Sequence, residues 1–372
     1  MKHKIKKAVL AVALLLTAGT ALKAQSNMDN VFNEKQQNLI AVAAFEAKGD
    51  LAGLKTAINS ALDARLTINE VKEALSQLYA YTGFPRSLNG LGTLQAVIAD
   101  RKARGITDGE GKDASPMARD YDALKQGTKV QTQLSGKPFN YAFAPATDYY
   151  LKAHLFGDIF ARDILSFAER ELVTVSALSA VKGVEPQLKA HVSGARHMGV
   201  TDEQLHALPQ VLLRRVGEME AFRAKKAVAE VFGEAFTEGQ PVENMIFPKG
   251  EPNTAYAKYF VGNSYLASLC KDGLNLSNVT FEPRGRNNWH IHHKAIQILI
   301  CVGGEGWYQE WGKPARRLKP CDVVSIPAEV KHWHGATAGS WFQHIATVVS
   351  QEGASNEWLE PVSDEEYDKL EK

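Results

Sequence analysis

An internal repeat in the first half of this 372-residue chain constrains its fold more than any other feature. The stretch GDLAGLKTAINSALD, from Gly49, aligns without a gap with GVEPQLKAHVSGARH, from Gly183. Both copies have apolar residues at three- and four-residue spacing, which is typical of a helix with one buried face. Both continue into a capping box, Thr67-x-x-Glu70 and Thr201-x-x-Gln204. The repeat predicts a duplicated helical unit whose copies bury their apolar faces on each other.

The second half has a different texture. After the Pro- and Gly-containing segment 236–253, short β-rich runs alternate with turns: QILICV, GWYQEW, DVVSIP and WFQHIATVV. Many short strands at regular spacing predict a small sandwich or barrel. The predicted fold class is therefore multidomain, with an all-α duplicated domain followed by an all-β barrel. The predicted boundaries are helical repeats at 28–103 and 141–235, linkers at 104–140 and 236–255, a β domain at 256–352 and an acidic tail at 353–372.

The first 24 residues are typical of an export signal. The basic segment MKHKIKK precedes an apolar run, and small residues lie before Gln25. The sequence predicts a periplasmic protein cleaved after Ala24, with an uncleaved N-terminal anchor as the alternative. The remaining 38 basic and 42 acidic residues give no basic footprint for nucleic acid. No later run is apolar long enough to span a bilayer, so we expect a small-molecule partner and no membrane partner after signal cleavage.

The chain contains three cysteines, and none belongs to a CxxC pair. They are Cys270, Cys301 and Cys321. An odd number in an exported chain argues against a disulfide framework. We therefore expect three buried free thiols.

The helical half resembles the carboxymuconolactone decarboxylase family, part of the alkylhydroperoxidase-D-like superfamily. The similarity lies in ERELVTVSALSAVKGVEPQLKAHV, from Glu169, and in EVKEALSQLYAYTGFPRSLN, from Glu70. The peroxidase branch of this family uses a CxxC pair, but the helical half contains no cysteine. Glu171 and His191 fill positions that are polar in decarboxylase-like members, which implies a possible secondary site. Alternatively, these two residues only tie helices together.

The β half resembles the cupin superfamily. The first cupin motif, G-x5-H-x-H-x4-[E/Q]-x6-G, is matched by WHIHHKAIQ and its flanks, through His290, His292 and Gln297. The second motif, P-x-G-x-x-H, appears as PAEVKH, with Glu329 in place of the usual glycine and His332 at its end. The resemblance implies a double-stranded β-helix, or jelly-roll, barrel that holds one metal ion.

Strand geometry agrees with this set of ligands. His290 and His292 are two residues apart, so their rings point to the same face of a strand. Gln297 has the wrong parity for that face, so the chain must bend or bulge just before it. A later strand would bring His332 to the same place, and His293 would face outward. We therefore predict a divalent metal site formed by His290, His292, Gln297 and His332.

The metal would be held by neutral ligands only, because an amide replaces the possible acid. The ion then keeps its full charge and polarises a bound oxygen strongly, which favours Lewis-acid over redox chemistry. Ligand type alone does not choose among Mn, Fe, Co, Ni and Zn. The β half most resembles manganese-containing cupin hydroxynitrile lyases, on WHIHHKAIQ, KHWHGA and QHIA. This resemblance favours Mn, and it implies that His344 is the proton-transferring base.

His344 also shares a strand face with Phe342 and Ala346, which predicts that it points into the barrel. A neutral imidazole beside a cation suits a general base, although a packed core histidine is the alternative. His334 shares a face with His332, so we expect it to contact substrate. For Trp289, Trp307 and Trp333, core packing is preferred over a role in the pocket wall.

These features predict an exported metal-dependent cupin enzyme, a lyase acting on a small hydroxy- or oxo-compound. Two alternatives remain at this stage. One is a decarboxylase-like or peroxiredoxin-like activity of the helical domain, although the missing thiols disfavour a peroxidase. The other is a non-catalytic protein that binds a ligand and oligomerises. In each case we expect a homo-oligomer formed through the helical repeats.

Overall fold

The computed structural model describes residues 31–236 and 246–371, and it divides the chain into two compact units, Met1–Phe236 and Thr237–Lys372. The first unit is helical and the second contains an antiparallel sheet, which confirms the predicted fold class. The predicted signal peptide, residues 1–24, and part of the second predicted linker lie outside the described residues. Within the described ranges, no helix is both long and apolar enough to cross a membrane.

The helices of the first unit follow one another with short connections. They are α1 (Glu34–Lys48), α2 (Leu51–Asp63), α3 (Ile68–Thr82), α4 (Phe84–Ala103), α5 (Ala123–Ser135), α6 (Pro145–Tyr149), a π-helix (Tyr150–Ile159), α7 (Phe167–Ala180), α8 (Glu185–His197), α9 (Asp202–Arg215) and α10 (Glu218–Phe232).

The duplication predicted from the sequence is visible in these bounds. The helices α2 and α8 each span 13 residues, and they occupy equivalent positions of the two repeats. Both predicted capping boxes form, at the starts of α3 and α9. Apolar side chains from both repeats fill one common core, including Ile40, Val71, Val175 and Val211. The two repeats therefore fold as one body with a shared interior.

The first predicted linker, residues 104–140, is not wholly irregular. It contains α5, which packs against the π-helix through two glycines. A Cβ atom on Gly127 would lie 1.7 Å from the carbonyl oxygen of Lys152, so only glycine allows this close approach. The sequence prediction was wrong here because α5 is rich in polar residues and buries few of them.

The sheet of the second unit begins slightly before the predicted start of the barrel. Its strands are β1 (Glu251–Pro252), β2 (Phe260–Val261), β3 (Ser264–Cys270), β4 (Leu276–Phe281), β5 (Arg286–Asn287), β6 (His290–Gly304), β7 (Gly306–Glu310), β8 (Arg316–Leu318), β9 (Val323–Ile326), β10 (His332–Ala336) and β11 (Phe342–Trp358). The long strands β6 and β11 pair with each other, while β10 pairs with β5, β6 and β7. This topology brings β6, β10 and β11 together around the barrel interior.

The predicted acidic tail, residues 353–372, is instead part of the β unit. Strand β11 continues to Trp358, and a short helix, α11 (Asp364–Asp368), follows it. Tyr367 and Val362 are buried against Trp289 and Trp333. The tail prediction was wrong because it rested on the acidic composition of the segment. The two buried residues, Val362 and Tyr367, are separated by exposed acidic ones.

The cysteines are free thiols, as the sequence predicts. Cys301 is buried and Cys270 is half-buried, whereas Cys321 is exposed. The expectation that all three are buried is therefore wrong for Cys321, which lies in the turn before β9 and has a positive φ of 78°.

Candidate metal centre

His290 and His292 lie just before a bend in β6. After the bend, side chains of the opposite parity face the barrel interior. His290 and His292 are buried, Lys294 is exposed, and Gln297 is buried again. Lys294 has a left-handed backbone with φ of 51°, and the pairing partner β11 shifts register between Ser350 and Ser355. The bend predicted from the parity of Gln297 is thus present, and it turns Gln297 toward the same interior as the two histidines.

Glu329, which stands where cupins usually have glycine, braces this bend. It adopts the left-handed backbone itself, with φ of 67°. Its carboxylate accepts hydrogen bonds from the backbone N–H of Lys294 at 2.9 Å and from Nδ1 of His293 at 2.5 Å. The other ring nitrogen of His293 lies 2.8 Å from Glu357. His293 is half-exposed and faces outward, as predicted. The two carboxylates raise the pKa of its imidazole.

Each of the three histidines predicted as metal ligands directs Nδ1 to an oxygen that can only accept a hydrogen bond. His290 donates to the carbonyl of Asn288 at 3.0 Å, and His332 donates to the carbonyl of Val330 at 2.9 Å. His292 donates to Oδ1 of Asn356 at 2.6 Å. In all three rings Nδ1 therefore carries the proton and Nε2 keeps its lone pair.

These lone pairs converge. The ring centroids of His290 and His332 are 4.1 Å apart, and His292 lies 5.1 Å from the first and 5.5 Å from the second. Oε1 of Gln297 lies 3.0 Å from Nε2 of His332. Nε2 of His292 is buried and has no hydrogen-bond partner among the described residues. Burial lowers the pKa of all three histidines, to about 4 for His332, so the rings are neutral near pH 7.

His334 lies beside this group but has its own polar partner. Ligand atoms of His290, His332 and His334 all lie within 4.8 Å of one another, close enough to share a metal ion. However, Nε2 of His334 accepts a hydrogen bond from the amide of Asn287 at 3.0 Å, and Oδ1 of Asn287 accepts from the backbone of His334. His334 is buried, and its pKa is well below the usual value because of that burial.

His344 is fully buried and stacks between Phe281 and Phe342. Its ring meets the edge of His334, with centroids 4.8 Å apart. Neither ring nitrogen of His344 has a hydrogen-bond partner in the described part of the chain. Burial lowers its pKa to about 3, which keeps the imidazole neutral. The inward direction predicted from strand parity is confirmed.

A cavity of about 340 Å³ opens onto these side chains. His290, His292, Gln297, His334 and His344 all line it. The remaining wall combines amides with apolar and aromatic groups, including Asn287, Asn356, Tyr256, Phe260 and Trp358. Of the predicted tryptophans, Trp289 and Trp333 pack in a separate cluster with Tyr367, in agreement with the preference for core packing.

Sequence reasoning missed Asn287, Asn356 and Trp358. Asn287 lies just before the first motif, and the other two lie in the segment predicted to be a tail. The sequence around Asn356-Glu357-Trp358 has no polar–apolar alternation that would predict a strand there.

The secondary site predicted in the helical unit also forms a defined contact. Nδ1 of His191 lies 2.8 Å from Oε2 of Glu171, whose side chain is fully buried. Tyr81, from the other repeat, meets the His191 ring edge-on at 5.3 Å. Oε1 of Glu171 and the Tyr81 hydroxyl are buried without a partner among the residues described.

The equivalent place in the first repeat is chemically different. There Gln37 replaces Glu171 and Ala57 replaces His191, as the alignment predicts. Arg215 occupies the position of Tyr81 and donates to Oε1 of Gln37 at 3.2 Å. The buried acid–imidazole pair therefore occurs in the second repeat and not at its counterpart.

Comparison with known proteins agrees with the resemblance of the helical unit to the carboxymuconolactone decarboxylase family. Residues 145–230 match the Carboxymuconolactone decarboxylase family. The chain is 40% identical over 91 residues to an (R)-mandelonitrile lyase from Granulicella tundricola, covering 24% of this chain and 69% of the lyase. It is also 26% identical over 162 residues to Peroxisomal protein 2 from Saccharomyces cerevisiae, covering 37% of this chain and 57% of that protein.

Among solved structures, a cupin-like protein from Thermotoga maritima is 41% identical to the chain. The match covers 34% of this chain and 96% of that protein, with a TM-score of 0.31. The aligned region, which is 40% identical to the lyase, covers more than two thirds of that protein's length. The chain therefore belongs to the cupin family, with its C-terminal cupin unit fused to a helical region like that of the carboxymuconolactone decarboxylase family.

Proposed function

We propose that the cupin unit binds one divalent metal ion through His290, His292, His332 and Gln297. The observation that carries this proposal is the orientation of the three imidazoles. Each gives its Nδ1 proton to an oxygen and keeps the Nε2 lone pair for the interior. Histidines that bind metals are held in this way, because the second hydrogen bond fixes both tautomer and ring direction.

His334 is better assigned to the substrate than to the metal. The amide nitrogen of Asn287 lies 3.0 Å from Nε2 of His334 and 3.4 Å from its Nδ1, so this ring already has a polar partner. The four remaining donors are neutral, and a bound ion would supply Lewis-acid polarisation of a substrate oxygen. The resemblance to manganese-containing cupins favours Mn, with Fe, Zn, Co or Ni as alternatives.

His344 is the base in this proposal. A general base needs a free lone pair near the reacting proton and a neutral form at working pH. Within the described ranges, both ring nitrogens of His344 lack a hydrogen-bond partner, and the ring lies in the cavity wall beside His334. The chain would thus act as a lyase on a small hydroxy- or oxo-compound. His344 would take the hydroxyl proton as the neighbouring carbon–carbon bond breaks and a carbonyl forms.

Cyanohydrin cleavage is the first reaction to test, because one relative is an (R)-mandelonitrile lyase. The hydroxyl proton of mandelonitrile would pass to His344 while the bond to the nitrile carbon breaks, giving benzaldehyde and cyanide. Benzaldehyde formation is followed by absorbance. We expect His344→Ala to lower kcat at least about a hundredfold, the usual contribution of a general base. Full activity in that variant would remove His344 from the mechanism.

Metal content tests the site independently of any substrate. The full chain should purify with close to one equivalent of a divalent metal, and His290→Ala and His332→Ala should lose it. His206→Ala, at an exposed histidine of the helical unit, serves as the matched control and should keep the metal. If the wild type lacks stoichiometric metal, or if both ligand variants retain it, the proposed site is wrong.

A second candidate function rests on the Glu171–His191 pair. A fully buried carboxylate directed at an imidazole is suited to proton transfer. Its Oε1 and the nearby Tyr81 hydroxyl have no hydrogen-bond partner among the described residues. It would act in decarboxylation of a carboxylated lactone, the chemistry that the family resemblance implies. Carbon dioxide release that is lost in His191→Asn, yet survives both chelation and His290→Ala, would favour this function over the cupin.

A further inference from the structure

Residues of the segment that the sequence assigns to a tail, 353–372, pair with the strand that carries His290 and His292. We call residues 351–371 the C-terminal strap. Strand β11 leaves its partner β6 after Ser350 and rejoins it at Ser355. From there Asn356 pairs opposite His292, and Trp358 pairs opposite His290. Residues 356 and 358 have the same parity, so both side chains face the barrel interior.

Asn356 makes the polar contact of the strap with the centre. Its Oδ1 lies 2.6 Å from Nδ1 of His292 and can only accept. His290 and His332 give their Nδ1 protons to backbone carbonyls, whereas His292 depends on this side chain. The direction of the His292 lone pair therefore depends on a residue 64 positions further along the chain.

Trp358 makes the apolar contact. Its ring stacks on His290, with centroids 4.8 Å apart and planes 28° apart. The Trp358 ring also stacks on Tyr259, with centroids 4.7 Å apart. His290 is thus held between its own hydrogen bond to Asn288 and a flat aromatic surface.

The strap is anchored firmly enough to position these groups. Backbone hydrogen bonds link Leu359 and Glu360 to Trp289, immediately before the first motif. Buried Arg286 donates to the carbonyl of Val362, and the hydroxyl of Tyr367 donates to the carbonyl of Ala336 at 2.7 Å. Asn356 is therefore held between strand pairing on one side and a packed anchor on the other.

We propose that Asn356 is a positioning residue that sets the tautomer of His292, so that the C-terminal strap completes the metal centre. This inference rests on the proposed function, since it names what orients one of the ligands. Without the acceptor, His292 loses its preference for the Nδ1–H form and its ring can turn. The metal would then bind with fewer well-placed donors.

The test compares three variants of the full chain. Asn356→Leu keeps the size of the side chain and removes the acceptor. Asn356→Asp restores an acceptor at the same place. Asn263→Leu makes the same change at an exposed asparagine of the cupin unit, which contacts Glu282, and serves as the matched control. Thermal melting and circular dichroism confirm that each variant folds.

The first measurement needs no metal. In metal-free protein, long-range ¹H–¹⁵N NMR of the imidazoles reports which ring nitrogen carries the proton. Wild type, Asn356→Asp and Asn263→Leu should show His292 as the Nδ1–H tautomer, and Asn356→Leu should show a mixture or the Nε2–H form. An unchanged His292 tautomer in Asn356→Leu would overturn the inference.

The second measurement is the dissociation constant for Co²⁺, followed by its visible absorption. We expect Asn356→Leu to bind about 10- to 100-fold more weakly than wild type, and Asn356→Asp to recover that loss. Equal affinity of wild type and Asn356→Leu would overturn the inference while leaving the metal site intact. A wild type that binds no Co²⁺, Mn²⁺ or Zn²⁺ would instead refute the proposed function, and the tautomer would still decide the role of Asn356.

Discussion

Oε1 of Gln297 and Nε2 of His332 lie 3.0 Å apart, and both atoms carry lone pairs. The Nδ1 proton of His332 is already given to the carbonyl of Val330, so Nε2 has none to donate. Two acceptors are thus directed toward the same point of the interior. Such a pair lacks a stabilising hydrogen bond of its own, and a cation bound between its members would remove the mismatch.

Because the side chain of Gln297 is a neutral amide, the metal should bind less tightly, but act as a stronger Lewis acid, than it would with a carboxylate at this position. Gln297→Glu adds a negative ligand, so we expect tighter metal binding and a weaker Lewis acid. Metal should then resist chelators longer, while kcat for the lyase reaction falls about tenfold. Gln351→Glu, the same change at an exposed position of β11, controls for charge alone. Tighter binding together with unchanged or faster turnover would contradict this account.

The buried histidines should make the metal-free protein sensitive to mild acid. Burial lowers the pKa of His332 to about 4 and that of His344 to about 3, whereas both titrate near about 6.5 when unfolded. Below about pH 6.5 the unfolded chain therefore binds more protons than the folded chain. The free energy of unfolding should then decrease as the pH falls from about 6.5 toward 4, and these groups add no pH dependence above that range.

Urea denaturation of the cupin after removal of metal, at pH 8, 7, 6 and 5, measures this effect. His344→Phe removes one of the two histidines whose pKa is lowered and keeps an aromatic ring between Phe281 and Phe342. Its stability should decline less steeply between pH 6 and 5 than that of the wild type. Parallel curves for the two proteins would show that His344 is not held neutral by burial.

The sequence predicted those parts of the site that depend on local geometry. The spacing of His290 and His292 fixed their common face, and the parity of Gln297 required the bend seen at Lys294. Both inferences depend only on the two-residue period of a strand. The repeat likewise predicted the helix starts, because the caps are local.

The missed features depend on pairing between distant segments. Asn356 contacts His292 only because β11 pairs with β6 again after a shift in register. No periodic pattern in the acidic segment predicts this renewed pairing. Tyr81 meets His191 across the two repeats. The repeat alignment did contain a signal for it, since Tyr81 aligns with Arg215, a change in chemistry at equivalent positions.

Glu329 should be replaceable by glycine more easily than by alanine. Its φ of 67° favours glycine, so Glu329→Ala loses the hydrogen bonds to Lys294 and His293 and also keeps the strained backbone. Glu329→Gly loses the same bonds but relieves the strain. We expect the alanine variant to be about 1 kcal/mol less stable than the glycine variant. Urea denaturation measures the difference, and equal stabilities would show that the left-handed backbone carries no penalty here.

Tyr367 should be essential to the cupin fold although it lies in an acidic segment, four residues before the last described residue, Glu371. Its ring is fully buried against Trp333, and its hydroxyl donates to the carbonyl of Ala336. Tyr367→Ala should lower the free energy of unfolding by about 3–5 kcal/mol, and Tyr367→Phe by about 1 kcal/mol, because the latter loses only a hydrogen bond. Tyr149→Ala, at an exposed tyrosine of the helical unit, is the control and should change it little. Since the strap carries Asn356, Tyr367→Ala should also weaken Co²⁺ binding in the protein that remains folded. Stability and affinity both at the wild-type level would mean that residues 359–371 are a dispensable tail after all.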